Sequence, residues 1–406
     1  MAWFISRGSK MTDSNSSWER ELVTKLASEA LVEQRKRRRW GIFFKLLTFA
    51  YVTFLLIVLV DWSSRGDLTG GKKHTAMVEL SGLIAPGTDA SAEKITASLQ
   101  AAFKDKNTQG VIVGISQTAD PEPLGEAWSS AAFYGAPFNI GFINLGFVWE
   151  QNQMRGLPNF PGGNNGFATG ANNLRQAVGW AENDIHDPTC VSPQVLQFRP
   201  AMWTLGPPDQ IQDLPLIAGD TSGAATAIND NGQIVGISGI CDQAIGRHTA
   251  KHAVLWENGG VTDIYPDAPA PWWNTPTAIN QRGDIVGFAG DPVFVEGDIV
   301  HAFMWTKEDG IRQLKPLPRR TPPHVDSEAY GINEARQVVG ISCDADFVDC
   351  RAVVWNHGNT PTDLNDFKGS YGPRLESAKD INDNGEITGR AIDTAGVRTA
   401  YLAEPH

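Results

Sequence analysis

The sequence predicts a mainly β protein: a β-propeller of five blades, with a sixth left open, behind a transmembrane helix and a short βαβ segment. Three observations carry this expectation. A block made of a small or apolar residue, Asn, five variable residues, an apolar residue and Gly recurs five times, at Asn172, Asn229, Asn280, Asn333 and Asn382, in steps of 57, 51, 53 and 49 residues. A second landmark, a strand-like run ending in Trp, keeps the same beat at Trp149, Trp203, Trp256, Trp305 and Trp355. A run of twenty residues, 41–60, holds a single charge, Lys45. Self-similarity at a period near 50 marks one supersecondary unit copied in tandem.

From the N-terminus, residues 1–40 form a basic segment, partly helical, that ends in Arg35-Lys36-Arg37-Arg38-Arg39. The apolar run 41–60 matches the hydrocarbon thickness of a bilayer, and Trp40 and Trp62 flank it as interfacial aromatics do. Basic residues stay on the cytoplasmic side, so everything after the span is extracytoplasmic, and a bacterial inner-membrane location follows. Residues 72–115 read as a βαβ segment: a strand over 75–84, a helical face at Ile95, Leu99, Ala102 and Phe103, and a short apolar run at 110–115, expected as a buried parallel strand. Residues 116–141, with Pro121, Pro123, Gly125, Gly135 and Pro137, read as a linker. The repeats then fill 142–406.

Within a repeat, short apolar runs alternate with turn residues. In the unit at 252–287, His252–Trp256 is a strand, Asn258-Gly259 a hairpin turn, 261–264 a second strand, 277–280 a third and 285–289 a fourth. This order places the Asn block at the turn between third and fourth strands. Four short antiparallel strands per repeat is the blade of a propeller, and no period of 3.6 interrupts it. The weaker sixth Trp-type copy, Arg398–Leu402, completes the fifth blade. The first copy, 142–149, is then left to pair with the last blade and close the ring, covering its exposed edges.

Two family resemblances rest on these residues. The string His301-Ala302-Phe303-Met304-Trp305, followed further on by an Ile332-Asn333-type block, resembles the HAF repeat of extracellular repeat proteins over about 142–403. That resemblance implies a fold and a location, with no catalytic chemistry. Residues 17–115, through Trp18-Glu19-Arg20-Glu21-Leu22, Arg39-Trp40-Gly41-Ile42-Phe43-Phe44-Lys45-Leu46-Leu47-Thr48 and His74-Thr75-Ala76-Met77-Val78-Glu79-Leu80, resemble the start of the signal peptide peptidases of the SppA family. Those are membrane-anchored serine-lysine peptidases of the ClpP/crotonase-like type. The likeness stops at Ser116-Gln117-Thr118, where the family continues with Asn-Ser-Pro-Gly-Gly, and no position inherits the serine or the lysine of the dyad.

The net charge is −12, with the basic residues gathered before the span. The exported part is therefore acidic, which argues against nucleic-acid binding. Four cysteines all lie in the repeats, and an even count in an exported domain points to disulfides Cys343–Cys350 and Cys190–Cys241. Asp230-Asn231-Gly232 and Asp383-Asn384-Gly385 lack the remaining ligands of a calcium loop and read as turns. His252 and His301 open successive Trp strands, as packing residues or, alternatively, a metal pair. The repeated Trp residues read as inter-blade core, with a sugar platform as the alternative. The off-pattern pair Trp272-Trp273 is the candidate ligand contact. No catalytic residue, cofactor or metal is assigned. The reading is a membrane-anchored, non-catalytic binding or interaction module for a protein, peptide or glycan ligand. The alternatives are a peptidase-like protein lacking its dyad, able at most to join intact peptidase subunits, and a join between unrelated genes.

Overall fold

The computed structural model describes residues 112–126, 141–150, 153–241, 250–266, 273–290, 299–368 and 372–405, together with Thr48. Apart from Thr48, the 41–60 run lies outside the described residues, as does the peptidase-like segment before Ile112. Among the described residues no helix is long and apolar enough to cross a membrane.

The described chain folds into six antiparallel sheets, each a simple meander. Sheet one holds β1 (Ile112–Pro121), β2 (Phe142–Glu150) and β3 (Gln153–Gly156). Sheet two holds β4 (Gly166–Ala171), β5 (Gln176–His186), β6 (Leu196–Thr204) and β7 (Gln210–Asp213). Sheet three holds β8 (Ser222–Ile228), β9 (Ile234–Gly239), β10 (His252–Glu257) and β11 (Gly260–Asp263). Sheet four holds β12 (Trp273–Ile279), β13 (Ile285–Gly290), β14 (Val300–Thr306) and β15 (Gly310–Leu314). Sheet five holds β16 (His324–Ile332), β17 (Gln337–Asp344), β18 (Arg351–Asn356) and β19 (Thr362–Asp363). Sheet six holds β20 (Arg374–Ile381), β21 (Ile387–Ile392) and β22 (Arg398–Ala403).

The six largest core clusters each draw from two successive sheets, the layout of propeller blades. Val178 and Leu214 of one sheet meet Ala225, Ile234 and Trp256 of the next. Met304 and Leu314 meet Ala329, Val353 and Trp355. Burying both faces of each sheet explains why strands such as Ile234–Gly239 are buried throughout rather than alternating.

The Asn block joins the first and second strands of a sheet, which corrects the expected third-to-fourth placement. The connection after the outer strand, as from Asp263 to Trp273, crosses to the next sheet instead. At Asn172, Asn229, Asn280 and Asn382 the carboxamide oxygen accepts two backbone N–H groups of its own turn, and at Asn333 it accepts that of Gln337. For Asn229 these come from Asn231 and Gln233, both at 3.0 Å. The carboxamide nitrogen then donates to the backbone carbonyl of the next repeat's Asn: Asn172 to Asn229 (3.1 Å), Asn229 to Asn280 (2.9 Å), Asn280 to Asn333 (3.2 Å) and Asn333 to Asn382 (3.1 Å). A parallel ladder follows one residue on, where Asn173, Asp230 and Glu334 each donate a backbone N–H to a side-chain oxygen in the next turn. The repeated asparagine is thus both a turn cap and the rung that ties one sheet to the next.

The Gly of the block has a separate cause. The first strand of each of sheets two to six carries a β-bulge at the same register, at Thr169, Thr226, Thr277, Tyr330 and Lys379. A bulge bends its strand and increases its local twist. A Cβ on Gly179, Gly236, Gly287, Gly340 or Gly389 would lie 1.9–2.2 Å from a carbonyl oxygen of that strand. The turn position before it needs positive φ, taken by Gly232, Gly283 and Gly385 but by Arg175 (φ 60) and Arg336 (φ 59) in the two copies without glycine.

Sheet one changes the expected boundaries. Ile112-Val113-Gly114-Ile115-Ser116 repeats Ile234-Val235-Gly236-Ile237-Ser238 letter for letter. It also takes the same register, Ile112 opposite Trp149 as Ile234 is opposite Trp256. The run expected as a parallel strand of a βαβ segment is therefore an antiparallel strand of the repeat type, and it continues to Pro121, into the expected linker. Residues 142–149 pair with β1 and β3 rather than with the last blade, and Arg398–Ala403 belongs to a sixth sheet of its own. Among the described residues the count is six sheets, four of four strands and two of three.

Candidate functional site

The off-pattern tryptophans do not form an exposed pair. Trp272 lies outside the described residues. Trp273 begins β12 and is 1% exposed, packed edge-on against Phe288 at 5.7 Å with Val300 and Tyr330 alongside. The expected Pro-rich loop has given way to a strand that pairs Trp273 with Gly290. The landmark tryptophans are spacers between sheets. Trp203, Trp256 and Trp355 are buried, and each indole N–H donates to a carbonyl in the loop leaving the preceding sheet: Pro158 (2.8 Å), Pro215 (2.6 Å) and Lys315 (3.0 Å). His252 is held by Asp263 at 2.7 Å. Among the described residues no group of His, Cys, Asp and Glu is arranged to hold a metal.

Cys190 is bonded to Cys241, and Cys343 to Cys350. The first pair joins the loops that follow the second strands of sheets two and three. The second closes the corresponding loop of sheet five onto itself.

Buried carboxylates near the first two sheets serve as anchors. Glu182 accepts the backbone N–H groups of Asn164 and Asn165, and Glu126 accepts those of Val195 and Leu196. Burial, with some help from the charge on Glu122, raises the Glu126 carboxyl above its ordinary value. Both side chains are tied to backbone N–H groups of neighbouring segments.

The feature with the character of a ligand site is a cleft of about 350 Å³ between sheets five and six, lined by Arg320, Arg351, Lys368, Arg374, Asp363 and Asp366. It lies in loops that the scaffold pins. Asp349, in the disulfide-closed loop, accepts from Arg351 (2.9 Å) and Arg374 (2.6 Å) and sits 3.4 Å from His324 Nε2. Asp344 fixes that loop by accepting the backbone N–H of Val348 and Asp349. Arg320 donates to Asp363 at 2.5 Å, and Asp363 also caps the 3-10 turn Leu364–Asp366. Four cations line the cleft against three carboxylates, Asp363 and Asp366 in its lining and Asp349 behind Arg351 and Arg374, in a chain of net charge −12. Each guanidinium has five donors and gives only one or two to these aspartates. Rotamers are thereby set while N–H groups remain for an anion, the geometry that favours bidentate recognition of carboxylate, sulfate or phosphate. Val348 and Phe367, 73% and 74% exposed, adjoin the cleft residues in the chain.

Burial would raise the Asp349 carboxyl, but hydrogen bonds from Arg351 and His324 and the charges of Arg351 and Arg374 outweigh it and hold it below its ordinary value. His324, with no exposed side-chain surface, is pushed below its ordinary value of 6.5 by burial, which outweighs the opposing pull of Asp349. The native state therefore resists protonating His324, whereas the unfolded chain accepts the proton. This contribution to stability is whole above 6.5 and shrinks as pH falls through that range. That of Asp349 is whole above 3.8 and shrinks as pH falls further. The His324 contribution should lower the thermal midpoint as pH falls from about 7 to about 5, against the opposite contribution of buried Asp380, whose carboxyl is raised to about 6. His324→Gln, which keeps a hydrogen-bonding side chain but does not titrate, should flatten that drop in melts followed by circular dichroism. An unchanged slope in the variant would reject the assignment to His324.

No protein-family model matches the chain, and no curated protein matches it in sequence. Among solved structures it is similar to the β-propeller domain of the trilobed protease from Pyrococcus furiosus, at 10% identity and a TM-score of 0.37, over 66% of this chain and 76% of that one. It is also similar to a gluconolactonase from Xanthomonas campestris, at 12% identity and 0.31, over 59% and 76%. A third likeness is to a glucose dehydrogenase, at 11% and 0.29, over 72% and 99%.

Sequence reasoning missed the cleft. Its four cations spread over 55 positions, from Arg320 to Arg374, share no motif and are gathered only by loop packing. The one local signal is Asp349-Cys350-Arg351, an ion pair across a cysteine.

Proposed function

We propose that the chain is a membrane-anchored, extracytoplasmic propeller module that binds rather than cleaves, and that its ligand places a carboxylate or sulfate group in the Arg320–Arg374 cleft. The observation that carries this reading is the set of four cations in a pinned cleft on an otherwise acidic chain. Two disulfides support an oxidising compartment, since such bonds persist outside the cytosol. The membrane anchor rests on the 41–60 run and the basic residues before it. A glycan bearing uronic acid or sulfate groups suits the site, and exposed Phe367, between the lining residues Asp366 and Lys368 in the chain, offers an aromatic face for a sugar.

The test is calorimetric titration of the detergent-solubilised full chain with oligogalacturonate and with a neutral oligosaccharide of equal length. The acidic oligomer should bind and the neutral one should not. Lys368→Ala with Arg374→Gln should weaken binding about tenfold or more, in keeping with the loss of charge-assisted hydrogen bonds. Equal binding of both sugars, or no response to the double substitution, would sink the proposal.

A further inference from the structure

Sheet six has three strands, and among the described residues nothing pairs with the outer edge of β22. The shared register shows what that edge offers. In sheet three the backbone N–H of Ile264 donates to the carbonyl of Ala253, three residues before Trp256. In sheet four Leu314 lies opposite Ala302, three before Trp305. Ala403 stands at the Trp position of sheet six, opposite Ile387 as Trp305 is opposite Ile285. Ala400 and Leu402 therefore turn their backbone N–H and C=O groups outward, along the line where the other sheets place a fourth strand.

Side-chain burial follows the same contrast. Ala253, Ala302 and Ala352 are wholly buried, whereas Ala400 is exposed. Leu255 and Met304 are buried, whereas Leu402 is 59% exposed. The fourth strands of the sister sheets read Ile211-Gln212-Asp213-Leu214, Val261-Thr262-Asp263-Ile264 and Ile311-Arg312-Gln313-Leu314, and the closing Leu or Ile is buried each time. Charge adds a further condition. Arg390, directly across from Ala400, and Arg398 share the single carboxylate of Glu376. Surplus positive charge therefore lies beside the edge, and an acidic residue opposite Arg398 would complement it as a cross-strand pair.

We infer that β22 is an acceptor edge for an extended segment of a partner protein. That segment adds as an antiparallel fourth strand, with an apolar residue opposite Ala403, Leu or Ile opposite Ala400 and Asp or Glu opposite Arg398. An unpaired strand edge is a template for such pairing, and the partner's pattern is set by the strands that fill the same place in sheets two to four. This site is separate from the cleft, so it stands or falls independently.

The probe is a labelled peptide carrying Gly-Ile-Arg-Gln-Leu-Lys-Glu, the 310–314 strand extended to place Glu opposite Arg398. It is titrated by fluorescence anisotropy into the full chain. Saturable binding is expected, lost on scrambling the peptide and weakened about tenfold or more by Ala400→Pro. That substitution removes an outward N–H from an edge strand, where proline is tolerated, so the melting temperature should hold. Hydrogen exchange reads the edge directly: the amides of Ala400 and Leu402 should exchange fast in the free chain and slow when peptide is bound. No binding, equal binding of the scrambled peptide, equal binding by the variant, or slow exchange in the free chain because the chain or a second copy already fills the edge, would each overturn the proposal.

Discussion

Replacing Gly340 with alanine is expected to destabilise the protein by about 3 to 5 kcal/mol, a large fraction of the about 5 to 15 kcal/mol that holds a natural domain folded. The added Cβ would lie 1.9 Å from the carbonyl oxygen of Glu328 and 3.0 Å from the Cα of Ala329. Both atoms belong to the backbone of the paired strand, so no side chain can swing aside. The bulge at Tyr330 brings that backbone close, and the bulge recurs at the same register in five sheets. The strain could be relieved only by breaking the ladder next to the bulge. Gly232→Ala is the matched control: it sits at φ 76 with nothing within 4 Å of the new Cβ, and should cost about 1 kcal/mol through backbone strain alone. Guanidinium unfolding of the two variants checks the pair. Similar midpoints would show that the close approach is not what retains glycine there.

Asn280→Ala is expected to cost about 3 kcal/mol, because one carboxamide serves four partners. Its oxygen accepts from the backbone N–H of Arg282 (3.0 Å) and Asp284 (2.9 Å). Its nitrogen donates to Asp284 (3.1 Å) and to the carbonyl of Asn333 in the next sheet (3.2 Å). Alanine leaves buried backbone groups unsatisfied, at about 1–3 kcal/mol for such a group, and removes the link between sheets. Asn382 caps its own turn the same way, but its side-chain nitrogen meets only Glu386 and the turn is exposed. Asn382→Ala should therefore cost about 1 kcal/mol, the loss of a cap alone. The difference between the two in denaturant unfolding measures the inter-sheet rung. Equal costs would mean that the ladder adds nothing beyond turn capping.

These two residues show why the repeat could be read from the chain. An Asn whose oxygen caps its own turn and a Gly forced by a fixed bulge are local demands, met by the same residue types at the same spacing in every copy. They left a periodic trace, and a strand-rich tandem fold followed from it. The trace extended further than the landmarks suggested. Ile112–Ser116 matches Ile234–Ser238, but the peptidase resemblance of the segment before it drew that strand into a different unit.

What the chain determined by itself was local: turn positions, strand lengths and the period, all set by φ/ψ preferences and hydrogen bonds within a few residues. Grouping the strands was decided only in three dimensions. Whether the Asn hairpin opens a sheet or ends one depends on which connection stays within hydrogen-bonding distance, and sequence spacing alone does not distinguish a hairpin from a crossing. The same holds for Trp273, whose burial depends on Phe288, Val300 and Tyr330 arriving from other strands. It holds most for the cleft, where Asp349 and Asp363 hold the guanidinium groups of Arg320, Arg351 and Arg374, drawn from separate segments of the chain, beside Lys368. Electrostatic sites of that kind depend on distance in space, which tertiary packing alone supplies.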